Sequence, residues 1–232
     1  MDDQRFIKKQ VGIYEKHVKR TLDKALALIM LIILLPVFFI VYILVKLEEP
    51  SSSAIFKQVR CGKDNEPFEL YKFRSMKSTA PHNMSTREFE DSGQYITKFG
   101  KFIRKTSIDE LPQLVNIIRG EMSFIGPRPV IFEENDLIGA REELGANRVL
   151  PGIMGNAQIN GRDEVDVAKK AEFDAEYCGN VTFMNDFKLM FMTVPVVILR
   201  KGNKDAVTPE MAMAEIAATS EVRKKERKNS RA

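Results

Sequence analysis

The feature that most constrains this chain is a run of 21 uncharged residues, Ala25 to Val45 (ALALIMLIILLPVFFIVYILV). As a straight helix it measures about 31 Å, the thickness of a bilayer's hydrocarbon core. A cleaved signal peptide does not fit: the run starts late, has no small-residue cleavage site and is succeeded by Lys46, Glu48 and Glu49. The 20 residues before it carry seven Lys or Arg and the 20 after it carry four. A simple crossing therefore leaves the N-terminus inside and exports the remainder of the chain. Pro36 opens another route, because it lies near the middle of the run and removes a helix hydrogen bond. Each half then reaches about 15 Å, one leaflet. The segment can enter, bend at Leu35-Pro36 and return to the same face, with both basic flanks on the anionic cytoplasmic surface. Taken alone, the segment fits either a kinked spanning helix or a re-entrant one. Downstream chemistry that needs a cytosolic substrate selects the second.

The rest of the chain is globular in composition, 44% hydrophobic and 29% charged over 232 residues, which excludes a disordered or collagen-like chain. Only two histidines, His17 and His82, are present, so a histidine triad or multi-histidine zinc site is not expected. Cys61 and Cys178 are far apart and lack C-x-x-C spacing, which points to reduced thiols in a cytosol-facing protein. The net charge of +4 is modest, and the absence of tryptophan or an aromatic platform makes nucleic acid a poor partner. Neither G-x-x-x-x-G-K-S/T nor G-x-G-x-x-G occurs, so the two standard nucleotide cradles are missing.

Ile55 to Arg60 and Phe68 to Phe73 read as two short strands joined by a turn through Gly62 to Pro67, a β-hairpin. Residues 78–95 are polar and irregular, and read as a loop. Helical periodicity returns over 109–119, on Leu111, Leu114, Val115, Ile117 and Ile118, and stops at Gly120. Residues 132–149 read as a charged helix, 151–162 as turns, and about Val165 to Cys178 as a helix. A second apolar run, Leu189 to Leu199, is too short to span; it fits an interfacial helix or a core helix equally. The basic tail is short of apolar residues and reads as disordered.

The densest polar cluster is Arg104 to Gln113 (RKTSIDELPQ). Ser107 and Glu110 have capping-box spacing, but that register places Pro112 where a backbone donor is needed; a helix start at Asp109 or Glu110 suits Pro112 better. Asp109 then stands at a helix mouth, a natural anion site. Lys72 and Arg74 flank Phe73 and share one strand face, while Arg104, Arg128, Arg148 and Arg162 lie in or near Gly/Pro-rich turns. Arginines at ordered turns suit phosphate, because the guanidinium fork matches phosphoryl oxygens; solvated surface charge is the plain alternative.

Five blocks together resemble the bacterial sugar transferases, the small monotopic phosphoglycosyl transferases. They are Lys19-Arg20-Thr21-Leu22-Asp23; Gln58 to Gly62 with Tyr71 to Met76; Arg104 to Leu114 with Asn116, continuing through Gly120 to Ser123 and Gly126 to Pro129; Pro151 to Gly155 with Gln158 to Arg162; and Tyr177 with Asn180 and Asp186. They run in order over roughly residues 19–200. One position departs from the family, whose members often carry Ser before the break proline; here it is Leu35.

The resemblance implies an α+β, mainly helical monotopic membrane protein. Its parts are a basic interfacial segment (1–24), a re-entrant membrane helix-break-helix (25–45), a cytosolic catalytic domain with a small β-hairpin and interfacial amphipathic helices (46–202), and a basic tail (203–232). It places the chain with the minimal forms, which lack the additional N-terminal membrane domain of larger relatives. The implied activity moves a phosphosugar from a UDP-sugar to polyprenyl phosphate, releasing UMP, at the bacterial inner membrane with the catalytic domain facing the cytosol. Asp109 is the implied nucleophile and Mg²⁺ ligand, and Glu110 its acidic partner, which can tune Asp109, bind metal indirectly or cap the helix. Arg104 and Arg128 would hold phosphoryl oxygens, Lys72 and Arg74 would assist, and Gln158 and Arg162 are candidates for nucleotide or sugar. Expected partners are the UDP-sugar, polyprenyl phosphate and anionic lipids, with a homodimer and downstream glycosyltransferases as further candidates. The rival readings are another membrane-tethered nucleotidyl- or phosphotransferase and a non-catalytic scaffold for glycosyltransferases.

Overall fold

The computed structural model describes residues 12–80, 94–160 and 165–199. The basic tail and Arg162 lie outside the described residues, as does most of the 78–95 loop. The long apolar run forms one helix, α1 (Arg20–Glu48), preceded by a π-helical turn, Tyr14–Lys19. Pro36 lies inside α1, which runs through it as one helical element. An interior proline removes one helix N–H and its ring crowds the carbonyl four residues back, which kinks a helix without having to end it. Among the described residues α1 is the one helix long and apolar enough to cross a membrane.

One side of α1 is packed along its whole length. Ala27, with Met30, Leu31 and Leu34, joins a core cluster containing Leu70, Leu114, Ile117, Phe124 and Tyr177. Beyond Pro36, Val37, Phe38, Val41 and Val45 join a second cluster with Phe73 and Ile103. The opposite side carries bare Ile33 and Phe39, 69% and 67% exposed. An apolar surface of this extent needs a nonaqueous neighbour.

The hairpin forms with β1 (Ile55–Cys61) antiparallel to β2 (Pro67–Phe73), Phe56 opposite Lys72 and Arg60 opposite Phe68. Next come α2 (Lys98–Lys105) and α3 (Gln113–Arg119), the latter stopped by Gly120 at φ 81°, a left-handed value that favours glycine. A short strand β3 (Ser123–Ile125) leads to α4 (Asn135–Glu143), then β4 (Gly152–Met154), α5 (Asn156–Ile159), α6 (Val167–Gly179) and α7 (Phe183–Leu199). β3 and β4 pair in parallel. The region read as turns thus holds a strand and a helical turn, and the charged helix is shorter than its 132–149 pattern. Phe183 and Met184 on α7 are exposed, and Leu189 is buried in the first cluster, so this helix has both a packed side and a bare apolar side.

A polar network fastens the start of α1 to β3, α6 and α7. Asp186 accepts from Lys19 Nζ at 2.7 Å and Tyr14 Oη at 2.8 Å on one oxygen, and from Tyr177 Oη at 2.8 Å on the other. Ser123 Oγ donates to Asp23 at 2.6 Å. The foot of α1, β3, α6 and α7 are thereby locked to one another, and three of the five sequence blocks meet.

Candidate active site

The acidic pair lies on a 3-10 turn, Ile108–Glu110, between α2 and α3. Ser107 reverses the chain out of α2 with φ 56°. That left-handed conformation costs a non-glycine residue about 1–2 kcal/mol. Pro112 is the cap of α3, where a missing N–H removes no helix bond. Ser107 makes no side-chain cap, so the capping box does not form, and α3 begins at Gln113 rather than at the acidic pair.

The two carboxylates have opposite surroundings. Glu110 accepts at one oxygen, Oε1, from Lys72 Nζ at 2.8 Å and Arg128 Nη2 at 3.0 Å. Burial favours its neutral form, but the charges and hydrogen bonds of Lys72 and Arg128 outweigh burial and hold Glu110 well below the usual carboxylate range. Asp109 is 8% exposed and takes no hydrogen bond or ion pair among the described residues. Burial raises its pKa; Lys72 pulls it down, Glu110 pushes it up, and Arg104 and Arg128 pull it down. One acid is fixed between cations while its neighbour, in the same field, is left unengaged.

Lys72 is placed by Asn116 of α3, which is fully buried and accepts from Tyr71 N at 3.1 Å while donating to Glu69 O at 2.6 Å and Glu121 Oε2 at 2.7 Å. This fixes β2 against the helix that succeeds the acidic pair. Arg128 is placed by the crossing of β3 and β4. Gly126 N donates to Met154 O at 2.8 Å and Gly152 N to Pro127 O at 2.9 Å. A Cβ on Gly126 would stand 2.3 Å from Leu150 O, and one on Gly152 2.1 Å from Gly126 N, so only glycine permits this approach. Arg141 completes the support: its Nη1 donates to Arg128 O, and its Nε and Nη2 grip Asp174.

Asp109, Glu110, Lys72 and Arg128 therefore come together, with Arg104 at the end of α2 close enough for its charge to act on Asp109. Arg74 is engaged elsewhere: its Nε donates to Ser53 O at 2.7 Å and its guanidinium lies over the Phe56 ring. Gln158 donates to Ile153 O at 2.9 Å and leaves Oε1 buried without a partner. Arg141 and Asp174 are not marked by the sequence, because their pairing across 33 positions leaves no local pattern.

Among the described residues no three His, Cys, Asp or Glu side chains assemble into a metal cage. The unengaged Asp109 carboxylate nevertheless fits a divalent cation that takes one carboxylate and completes its shell with substrate phosphates and water, the usual habit of Mg²⁺.

An acidic pair set among cations, in a helical body packed along a bilayer-length apolar helix, fits the class of membrane-associated enzymes. The family model for bacterial sugar transferases matches residues 14–200, and the chain belongs to that family of transferases. It is 36% identical over 200 residues to the exopolysaccharide production protein ExoY of Sinorhizobium fredii, covering 80% of this chain and 87% of that protein. It is 39% identical over 184 residues to the UDP-glucose:undecaprenyl-phosphate glucose-1-phosphate transferase of Escherichia coli, covering 76% of this chain and 39% of the relative. It is 34% identical over 201 residues to the undecaprenyl-phosphate galactose phosphotransferase of Salmonella typhimurium, covering 81% and 42%. The chain thus spans less than half the length of these last two relatives.

Proposed function

We propose that this chain transfers a phosphosugar from a UDP-sugar to polyprenyl phosphate, releasing UMP, in a first membrane step of exopolysaccharide or capsule assembly. The observation that carries the reading is the contrast between Asp109, buried and unengaged, and Glu110, clamped by Lys72 and Arg128. An ionised carboxylate needs no base to act as a nucleophile. An Asp109 oxygen bonds to the β-phosphorus while the bond from that phosphorus to the bridging oxygen breaks, and UMP leaves with the electron pair. A phosphate oxygen of the lipid then displaces Asp109 from the same phosphorus, restoring the carboxylate and giving the lipid diphosphosugar. Each product leaves before the next substrate reacts, so the kinetics are ping-pong.

Anion attacking anion is the obstacle, and this chain answers it with fixed cations. Lys72 and Arg128 are already oriented by Glu110, so they can meet phosphoryl charge without reorganising, and Arg104 adds to the same field. Asp109 is the residue that would hold a Mg²⁺ ion, which would supply further neutralisation of phosphoryl charge.

The lipid substrate requires the site to lie at headgroup level. Leu34 and Val37, on either side of Leu35-Pro36, both pack against the body that carries Asp109. A helix crossing to the far leaflet leaves one of its halves away from that body. Packing of both halves supports a helix that enters and returns to the cytosolic face of the inner membrane.

The test is a UDP-sugar panel with undecaprenyl phosphate and the full chain in nanodiscs. UMP release with labelled sugar phosphate in the lipid is the predicted result; UDP release, nucleotide transfer or no turnover rejects the reading.

A further inference from the structure

Arg60 is an arginine that the fold leaves incompletely satisfied. It projects from the same hairpin face as Lys72, since Phe56 is opposite Lys72 and Arg60 lies four residues, two face repeats, beyond Phe56. Cys61 N donates to Val130 O at 2.8 Å, which fastens the end of β1 to the segment immediately after Arg128. The Arg60 Nη2 donates to Gln58 Oε1 at 2.6 Å, but its Nε is buried and has no partner.

The cations that are buried among the described residues are treated differently. Lys19 meets Asp186 at 2.7 Å and Arg141 meets Asp174 at 2.6 Å. Arg60 has no carboxylate in ion-pair contact among the described residues. Burial and then the charge of Arg128 depress its pKa to about 10, while Glu134 and Glu133 act in the opposite direction. The guanidinium therefore stays charged at neutral pH. A desolvated cation beside a second cation, with one donor idle, is costly unless an anion arrives to satisfy both. Hairpin stability does not require it, because an unbranched apolar side chain of similar length fills the same space without an unmade bond.

We propose that Arg60 is a phosphoryl-binding residue that acts with Arg128, its guanidinium, which has no carboxylate partner among the described residues, donating to a phosphate oxygen of a bound substrate. The assignment rests on the phosphosugar-transfer reading above and adds a cation to it. The phosphoryl group belongs either to the nucleotide diphosphate or to the lipid phosphate, and the same chemistry serves both.

The test uses the full chain in nanodiscs, with UDP and undecaprenyl phosphate as probes in separate titrations. Arg60→Met weakens at least one probe ten- to a hundredfold while keeping the ligand-free unfolding midpoint at or above that of the parent. Loss confined to UDP places the nucleotide phosphates on Arg60; loss confined to the lipid places the lipid phosphate there. Parental affinity for both probes overturns the assignment, whatever the midpoint. If Arg60→Met does not fold, Arg60→Gln is read in the same titrations, and parental affinity there overturns it equally. A parent chain that binds neither probe marks failure of the proposed function itself, and takes this assignment with it.

Discussion

Arg141 donates from Nη1 to the backbone carbonyl oxygen of Arg128 at 3.1 Å, while its Nε and Nη2 hold Asp174 Oδ2 at 2.9 and 2.6 Å. The cation that reaches Glu110 is thus held through its own main chain by a buried ion pair between α4 and α6. Removing one partner strands the other charge, at a cost of about 3–5 kcal/mol. Asp174→Asn is expected to lower the unfolding midpoint and to reduce kcat as Arg128 loosens. Arg141→Lys keeps the charge but loses the fork, and falls between parent and Asp174→Asn in both thermal unfolding and UMP release. Parental kcat in Asp174→Asn removes the link to the site.

Asp109 and Glu110 are adjacent, and their substitutions should move stability in opposite directions. Asp109→Asn removes a desolvated, unengaged carboxylate, so the unfolding midpoint is expected to stay or rise while turnover falls more than 10³-fold, on the order seen when a covalent nucleophile is removed. Glu110→Gln leaves Lys72 and Arg128 without their anion and is expected to destabilise by roughly 2 kcal/mol, less than a fully buried pair because Arg128 is half-exposed. Calorimetry with a UMP assay checks both; a lowered midpoint in Asp109→Asn contradicts the assignment.

The same contrast sets the pH dependence. The raised pKa of Asp109 means that its ionisation costs stability, from the ordinary value of 3.8 upward to its folded value. Glu110 is depressed, so its contribution is complete above its ordinary 4.5 and is lost as pH falls toward its folded value. Without Mg²⁺, the Asp109 carboxyl is expected to titrate above the ordinary 3.8, followed by NMR of the labelled side chain. A titration at or below that value contradicts the buried, unengaged setting of Asp109.

Topology is testable without activity. With Cys61 and Cys178 replaced, single cysteines at positions 8 and 63 are expected to react with a membrane-impermeant reagent from the cytosolic side. Labelling from opposite sides contradicts the re-entrant helix.

The hairpin is legible in the sequence because its signals are local: alternating apolar residues and a turn from Gly62 to Pro67. The acidic pair and its cations are legible because the family pattern gathers them. The place of Arg74 is not, since alternation gives a face but not a partner, and the Ser53 carbonyl takes its guanidine. The amide of Gln158 likewise turns to a nearby carbonyl, that of Ile153. The β3–β4 pair is three residues on each side and joins distant segments, so no local pattern marks it. Helix α2 places Phe99, Phe102 and Ile103 at helical spacing, but at eight residues it is shorter than the window over which a helical period is read. The continuity of α1 through Pro36 depends on packing on both sides of the proline, which the sequence of the helix alone does not contain.

The most direct measurement is intact-protein and peptide mass spectrometry of the full chain incubated with its UDP-sugar in the absence of lipid phosphate. The account predicts a phosphosugar adduct on Asp109 that disappears when undecaprenyl phosphate is added. No adduct in an active preparation, together with kinetics that require both substrates bound at once, would contradict it.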